Sequence, residues 1–191
     1  GLLTSRNCKT GLGSLRRAGT PFALVMAAID HFKRVNASPG HETGDRALKT
    51  FADVARSSLR EGDLIARWGG EEFSFAFVNL DPQSACSAID RIRLELAGRL
   101  STSDLPRFTV SFGVVSADAC ASLEDAVRHA DDALYLAKAR GRDCSVVADT
   151  NQFDEGGLAI RPLQRVVEKV KATSAHGVLA TLARDDDPTD R

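Results

Sequence analysis

Residues 64–78 constrain the fold more than any other stretch of the chain. Leu64-Ile65-Ala66 and Phe73-Ser74-Phe75-Ala76-Phe77-Val78 are apolar and strand-like, and Arg67-Trp68-Gly69-Gly70-Glu71-Glu72 runs between them. Two such segments joined by Gly-Gly predict a β-hairpin, because glycine allows the positive φ and close backbone approach that a tight turn needs. The turn is followed at once by paired carboxylates. Anionic oxygens at a hairpin tip suit a hard cation and, with it, a triphosphate. An acidic surface turn is the alternative reading of Gly69 to Phe73 taken alone.

At 191 residues the chain is long enough for one domain of ordinary size with residues to spare. Its formal net charge of -1 gives no sign of a broad basic surface, so neither DNA, RNA nor an anionic membrane is an expected partner and any nucleotide binding is expected to be local. The cysteines Cys8, Cys86, Cys120 and Cys144 are widely spaced with no CxxC pair. That pattern argues against a cysteine-pair zinc or redox motif and suits a reducing, cytoplasmic setting. The apolar run Phe22–Ile29 is too short to span a bilayer. The abrupt start at Gly1-Leu2-Leu3-Thr4 is read as that of a piece of a longer protein.

Phe22-Ala23-Leu24-Val25-Met26-Ala27-Ala28-Ile29 is apolar almost throughout, which predicts a central strand buried on both faces. Asp30 ends it. A short helix over 31–36 is expected before Ser38-Pro39-Gly40 breaks the chain. Ala47, Leu48, Phe51, Val54, Ala55 and Leu59 recur at helical spacing and predict an amphipathic helix over about 42–59. Asp81 before Pro82 reads as an N-cap. Its helix runs to about Leu100 with Cys86, Ile89, Ile92 and Leu96 inward. Residues 108–115 alternate like a strand, Ser122-Leu123-Glu124-Asp125 resembles a capping box, and Gly141 stops the helix that follows. A short strand over 145–148 completes the unit, and residues 1–20 give only a loose or short helical lead-in.

A hairpin set inside strand–helix alternation implies an α/β (α+β) fold, a ferredoxin-like mixed sheet flanked by helices with extra elements. Residues 1–149 form the expected domain. Residues 150–191 read as a linker, a further helix through Leu163, Val166, Val167 and Val170, and a disordered acidic tail at Asp185-Asp186-Asp187.

Several motifs now agree in order and spacing. They are Asp30-His31-Phe32-Lys33, Asn36, Gly40-His41, Gly44-Asp45, Gly69-Gly70-Glu71-Glu72-Phe73, Phe112-Gly113-Val114, and Ala130-Asp131-Asp132-Ala133-Leu134-Tyr135 with Lys138 and Gly141-Arg142. Together they resemble the GGDEF domain of bacterial diguanylate cyclases, over roughly residues 1–149. That resemblance implies a nucleotidyl-cyclase-like fold and two facing GTP-loaded domains that condense two GTP to cyclic di-GMP and pyrophosphate, assisted by Mg2+ or Mn2+.

The resemblance also implies roles. Asn36 and Asp45 would hold the guanine edge, where a site of such hydrogen bonds rejects adenine; either residue alone reads equally well as a helix cap. Gly69 and Gly70 would let backbone approach the nucleotide. Lys33, Lys138 and Arg142 would meet the phosphates, with Lys138 and Arg142, four apart, on one helix face. Glu71 and the Ile29 carbonyl would ligate metal, and Glu72 would sit near the reacting 3′-hydroxyl or a second ion. Glu71, Glu72 and Lys33 are thus the catalytic candidates. Tyr135 and Leu134 are read as core.

One departure outweighs the matches. The family usually has an Asp two residues before Asp30, as a direct metal ligand; here that residue is Ala28. Rescue by Asp30 is not expected, since the chain turns there. The lead-in Leu3-Thr4-Ser5-Arg6-Asn7-Cys8-Lys9 keeps only part of the family pattern. By contrast, Arg60-Glu61-Gly62-Asp63 lies five residues before Gly69 and matches the Arg-x-x-Asp inhibitory site for cyclic di-GMP, with Arg91 as its secondary arginine. A guanidinium fork reads guanine O6 and N7; a solvated charge pair is the bland alternative. The expectation is an impaired cyclase domain that binds cyclic di-GMP as a receptor and pairs into a ligand-linked homodimer. A working cyclase and a domain that binds GTP without cyclising it are the competing readings.

Overall fold

A computed structural model of the chain describes residues 2–37 and 42–150. Its elements are β1 (Leu3–Thr4), α1 (Ser5–Arg17), β2 (Phe22–Ile29), α2 (Phe32–Asn36), α3 (Thr43–Ser57), β3 (Leu64–Gly69), β4 (Glu72–Val78), α4 (Pro82–Ser101), β5 (Val110–Ser116), a 3-10 turn (Ala117–Ala119), α5 (Leu123–Ala139) and β6 (Ser145–Val147). They form a six-stranded sheet in the order β1-β3-β4-β2-β5-β6. The four inner strands are antiparallel to one another, while β1 joins β3 and β6 joins β5 in parallel. The inner order β3-β4-β2-β5 is the ferredoxin-like arrangement, so the expected mixed sheet is present.

The central position of β2 explains its composition. Ala23, Val25, Ala27 and Ile29 join the core cluster formed with α3 and α4, whereas Phe22, Leu24, Met26 and Ala28 join the cluster formed with α1 and α5. Strand residues alternate between faces, so a strand covered on both sides must be apolar at every position. On the first face Phe51 of α3 meets Phe73 edge-on at a centroid distance of 4.8 Å and also packs against Phe75 and Phe112. Each such fully buried ring contributes roughly 1.5–3 kcal/mol relative to exposure.

On the second face α5 lies almost directly on β5. A Cβ at Gly113 would stand 2.1 Å from the Ala130 carbonyl oxygen and 2.2 Å from the Leu134 nitrogen. Only a glycine permits that approach. Both expected caps are formed: Asp81 accepts from the amides of Gln83 and Ser84, and Ser122 accepts from that of Asp125. The reciprocal bond at Asp125 goes one residue further back than in a capping box, to Ala121 N–H.

Three expectations are corrected. The lead-in is a strand followed by a 13-residue helix, whose Cys8 and Leu12 are buried against the sheet; two inward residues among many polar ones gave too sparse a periodic signal. Tyr135 is exposed while its neighbour Leu134 is buried, because adjacent helical positions point about 100° apart. Arg142 does not share a helix face with Lys138: α5 ends at Ala139, and Arg142 and Asp143 follow with φ of 67° and 47°. Pro39, Gly40, His41 and the linker, helix and tail expected beyond residue 150 lie outside the described residues.

Candidate active site

The hairpin tip is closed by its own chain. Arg67 donates from Nε and Nη2 to the Gly70 carbonyl at 3.0 and 2.7 Å, and Gly70 takes a positive φ of 26°. Glu71 stands in the turn and its carbonyl accepts from Ile29 N–H at 3.2 Å. This bond lays the end of β2 against the turn. Glu72 opens β4 directly opposite Ala28, so its side chain shares the α5 face of the sheet. Ala28 is wholly buried there.

Asp30 points to the same side one pleat further on, and it is fully engaged. It is 3 % exposed. Its carboxylate accepts from Thr109 Oγ1 and Ser111 Oγ, each at 2.7 Å, and from Asp143 N–H at 3.2 Å. Asp30 therefore pins β5 and the turn carrying Arg142, with both carboxylate oxygens engaged in those bonds. Arg93 of α4 holds the same turn through Asp143.

A second carboxylate reaches this region from α5. The Asp131 pKa is pushed up to about 6, first by loss of surrounding water and then by the charges of Glu72 and Asp132. Lys138, two turns along α5, opposes the shift. Asp131 stands in the Ala130–Tyr135 motif, which by itself gives it no role; the close approach of Ala130 to Gly113 is what brings it here.

On the opposite face a cleft of about 500 Å³ opens between α3 and the hairpin. Asp45 and Leu48 of α3 line it with Arg67 and Phe73 of the hairpin and Leu2 from the lead-in. Asn36 ends α2, and its Oδ1 lies where a Cβ on Gly44 would come within 2.2 Å. Gly44 therefore makes room for the Asn36 amide beside Asp45. The N-cap position of α3 is Glu42, without a side-chain cap bond, so Asp45 is not consumed as a cap. The cleft and the Glu72 carboxylate sit on opposite sheet faces but at the same strand ends. Lys33 is exposed on α2, just past that end of β2. Leu48, Arg67 and Phe73 as cleft walls were not foreseen, because their spacing already had a sufficient explanation in core and hairpin.

A third group lies at the far end of the hairpin. Asp63 accepts from Arg60 N–H and Val78 N–H, both at 3.0 Å, so its carboxylate fastens the turn to β4. The Arg60 side chain is exposed beside it. Arg91 is an exposed residue of α4, one turn before Glu95, which accepts from Ser57 and Ser58 at the end of α3.

No helix among the described residues is long and apolar enough to cross a membrane. The family model "Diguanylate cyclase, GGDEF domain" matches residues 4–144. Diguanylate cyclase DgcM of Escherichia coli is 40% identical over 122 residues, covering 64% of this chain and 30% of DgcM. Diguanylate cyclase DgcP of Pseudomonas aeruginosa is 36% identical over 135 residues, covering 69% of this chain and 20% of DgcP. The chain thus spans less than a third of the length of these relatives. Among solved structures, the GGDEF domain of DgcB from Caulobacter crescentus in complex with c-di-GMP superposes with a TM-score of 0.68 at 28% identity, covering 76% of this chain and 91% of that one. The active GGEEF domain of a diguanylate cyclase from Vibrio cholerae gives 0.63 at 26% identity, covering 73% and 90%.

Proposed function

Since the chain belongs to the GGDEF family of diguanylate cyclase domains, we propose that it serves cyclic di-GMP signalling as a guanine-nucleotide recognition module whose own cyclase chemistry is impaired. The observation that carries this is the buried methyl of Ala28 opposite Glu72. Domains of this family generally use Mg2+ or Mn2+. Such an ion wants near-octahedral oxygen ligands, including one or two carboxylates. Glu71, Glu72 and the Ile29 carbonyl remain near the strand end, but the side chain at position 28 offers no oxygen, and Asp30 is engaged with Thr109, Ser111 and Asp143. The donor set does not fit a fully held ion pair. Phosphoryl and nucleotidyl transfer rest on positioning and charge neutralisation, and loss of one preorganised electrostatic group costs about 10²–10³ in rate.

Recognition does not need that carboxylate. Asp45 in the cleft wall and Asn36 against the neighbouring Gly44 present a carboxylate and an amide to a guanine edge, and Gly69 and Gly70 let a nucleotide cross the turn. Lys33, Lys138 and Arg142 meet its phosphates. At the other end of the hairpin, Arg60 with Asp63 and Arg91 receives cyclic di-GMP, and a ligand with two guanines links two copies of the chain. The fastening of Asp63 to Val78 holds its carboxylate in place while leaving lone pairs to accept a guanine N–H.

The working-cyclase reading is favoured by the retained Glu71 and Glu72 and by Asp131, a further carboxylate beside Glu72. Chromatography of a GTP and Mg2+ reaction separates the two. Impairment predicts little product from the unaltered chain and restored product from Ala28→Asp, whereas substantial product from the unaltered chain would refute it. Calorimetric titration with cyclic di-GMP tests the receptor part: binding abolished by Arg60→Ala supports it, and absent or Arg60-independent binding overturns it.

A further inference from the structure

Cys120, Asp125 and His129 stand apart from the hairpin, the cleft and the Arg60 turn. Cys120 follows the 3-10 turn after β5, and Asp125 and His129 are one turn apart at the start of α5, so they share a helix face. A sulfur, a carboxylate oxygen and a ring nitrogen from these residues lie within 4.8 Å of one another. His129 Nε2 is 3.6 Å from Asp125 Oδ1. Ligand atoms bound to one tetrahedral ion at about 2.0–2.3 Å stand about 3.3–3.8 Å apart. One pair is already at that spacing, and the sulfur needs to close by about 1 Å.

We propose that Cys120, Asp125 and His129 form a site for one borderline-soft divalent cation of the Zn2+ type, with water as the fourth ligand. A thiolate and an imidazole select such an ion over Mg2+, which prefers oxygen alone. The site therefore differs in ion preference from the all-oxygen hairpin. Cys120 is 4 % exposed, while the Asp125 and His129 side chains keep 18% and 14%, so the sulfur is shielded and an approach for the ion remains.

The surroundings hold the three ligands in place. Arg16 of α1 donates Nη1 to the Ala117 carbonyl and Nη2 to the Cys120 carbonyl, at 2.9 and 2.6 Å. Asp125 Oδ2 accepts from Ala121 N–H at 3.2 Å, which leaves Oδ1 turned to His129. That gap is already bridged by a cation: Arg128 Nη2 contacts both Asp125 Oδ1 and His129 Nε2. Arg128 is exposed on a flexible stem and also reaches Asp132, so it can swing off and competes with a metal for the same two atoms. Burial and then the Asp125 charge push the Cys120 thiol up, and the ion must displace its proton.

Co2+ titration of the chelator-treated full chain reads this site directly, because thiolate-to-cobalt absorption arises only from a cysteine ligand. The expected result is a thiolate band that saturates at one equivalent and is bleached by Zn2+. The band is lost in Cys120→Ser, and affinity falls at least about 100-fold in His129→Ala, since even indirect ligand contacts are worth about 10–100-fold. Surface variant Arg128→Ala, which removes a competitor and no buried group, binds more tightly. Glu71→Gln leaves the band unchanged. Absence of a thiolate band in the unaltered chain, or its persistence in Cys120→Ser, overturns the site, as does weaker binding in Arg128→Ala.

Discussion

Ala28 and Glu72 are directly opposed across β2 and β4, on the face covered by α5. A carboxylate restored at residue 28 would lie beside that of Glu72 with little water to screen the pair. Ala28→Asp should therefore melt at a lower temperature than the unaltered chain in chelator and recover in Mg2+. Its cyclic di-GMP output, followed by chromatography, should rise by at least about 10². Equal melting with and without Mg2+ would contradict this.

Asp30 is a framework group. Replacing it by Ala orphans the hydroxyls of Thr109 and Ser111 and the amide of Asp143. An unsatisfied buried donor costs about 1–3 kcal/mol; Ser111 is buried, whereas water can reach the other two, so the total loss by urea unfolding should be roughly 2–3 kcal/mol. Asp30→Asn keeps part of the bonding and should lose less.

Gly44→Ala separates stability from binding. Alanine is the better helix residue by about 1 kcal/mol, and the groups it strikes are side chains, the Asn36 amide at 2.2 Å and the Phe32 ring at 3.3 Å, rather than backbone. Urea unfolding should show little loss, while GTP affinity by calorimetry falls about tenfold or more as the Asn36 amide is displaced, a shift of about 1.4 kcal/mol. Unchanged affinity would remove Asn36 from the guanine site.

Asp131 has a pH signature. Its pKa is raised from 3.8 to about 6, so the folded chain holds the proton more tightly than the unfolded one. Stability then declines as pH rises from about 3.8 to 6 and stays lowered above that window. Asp131→Asn should stabilise the chain at pH 7.5 and lose that advantage as pH falls from about 6 to 3.8. Asp131 is an exposed residue, so solvent limits the gain to about 1 kcal/mol or less. Melts of both chains across this range check it.

Legibility followed the range of the interactions. The all-apolar β2, the Asp81 and Ser122 caps and the Gly-Gly turn rest on neighbours within a few residues, so periodicity and turn chemistry reveal them. The 13-residue α1 was obscured because only Cys8 and Leu12 among the described residues face the sheet closely enough to be buried. Gly141 marks the end of α5 in the sequence, but Arg142 was misplaced because the turn beyond it is shaped by bonds from Asp30 and Arg93 to Asp143, far away in sequence.

The chain's own order of residues determined the hairpin with its carboxylates, the strand buried on both faces, the family and the absence of an acid at residue 28. Those properties are local patterns or identities that do not depend on how the chain closes. Tertiary structure alone decided that Asp30 is occupied, that Gly113 lets α5 bring Asp131 toward Glu72, that Asn36 lies over Gly44, and that Cys120 meets Asp125 and His129. Each is a contact between elements, fixed by strand register and helix approach, and a two-fold or 3.6-fold period in one segment carries no information about the side chain that another segment places against it.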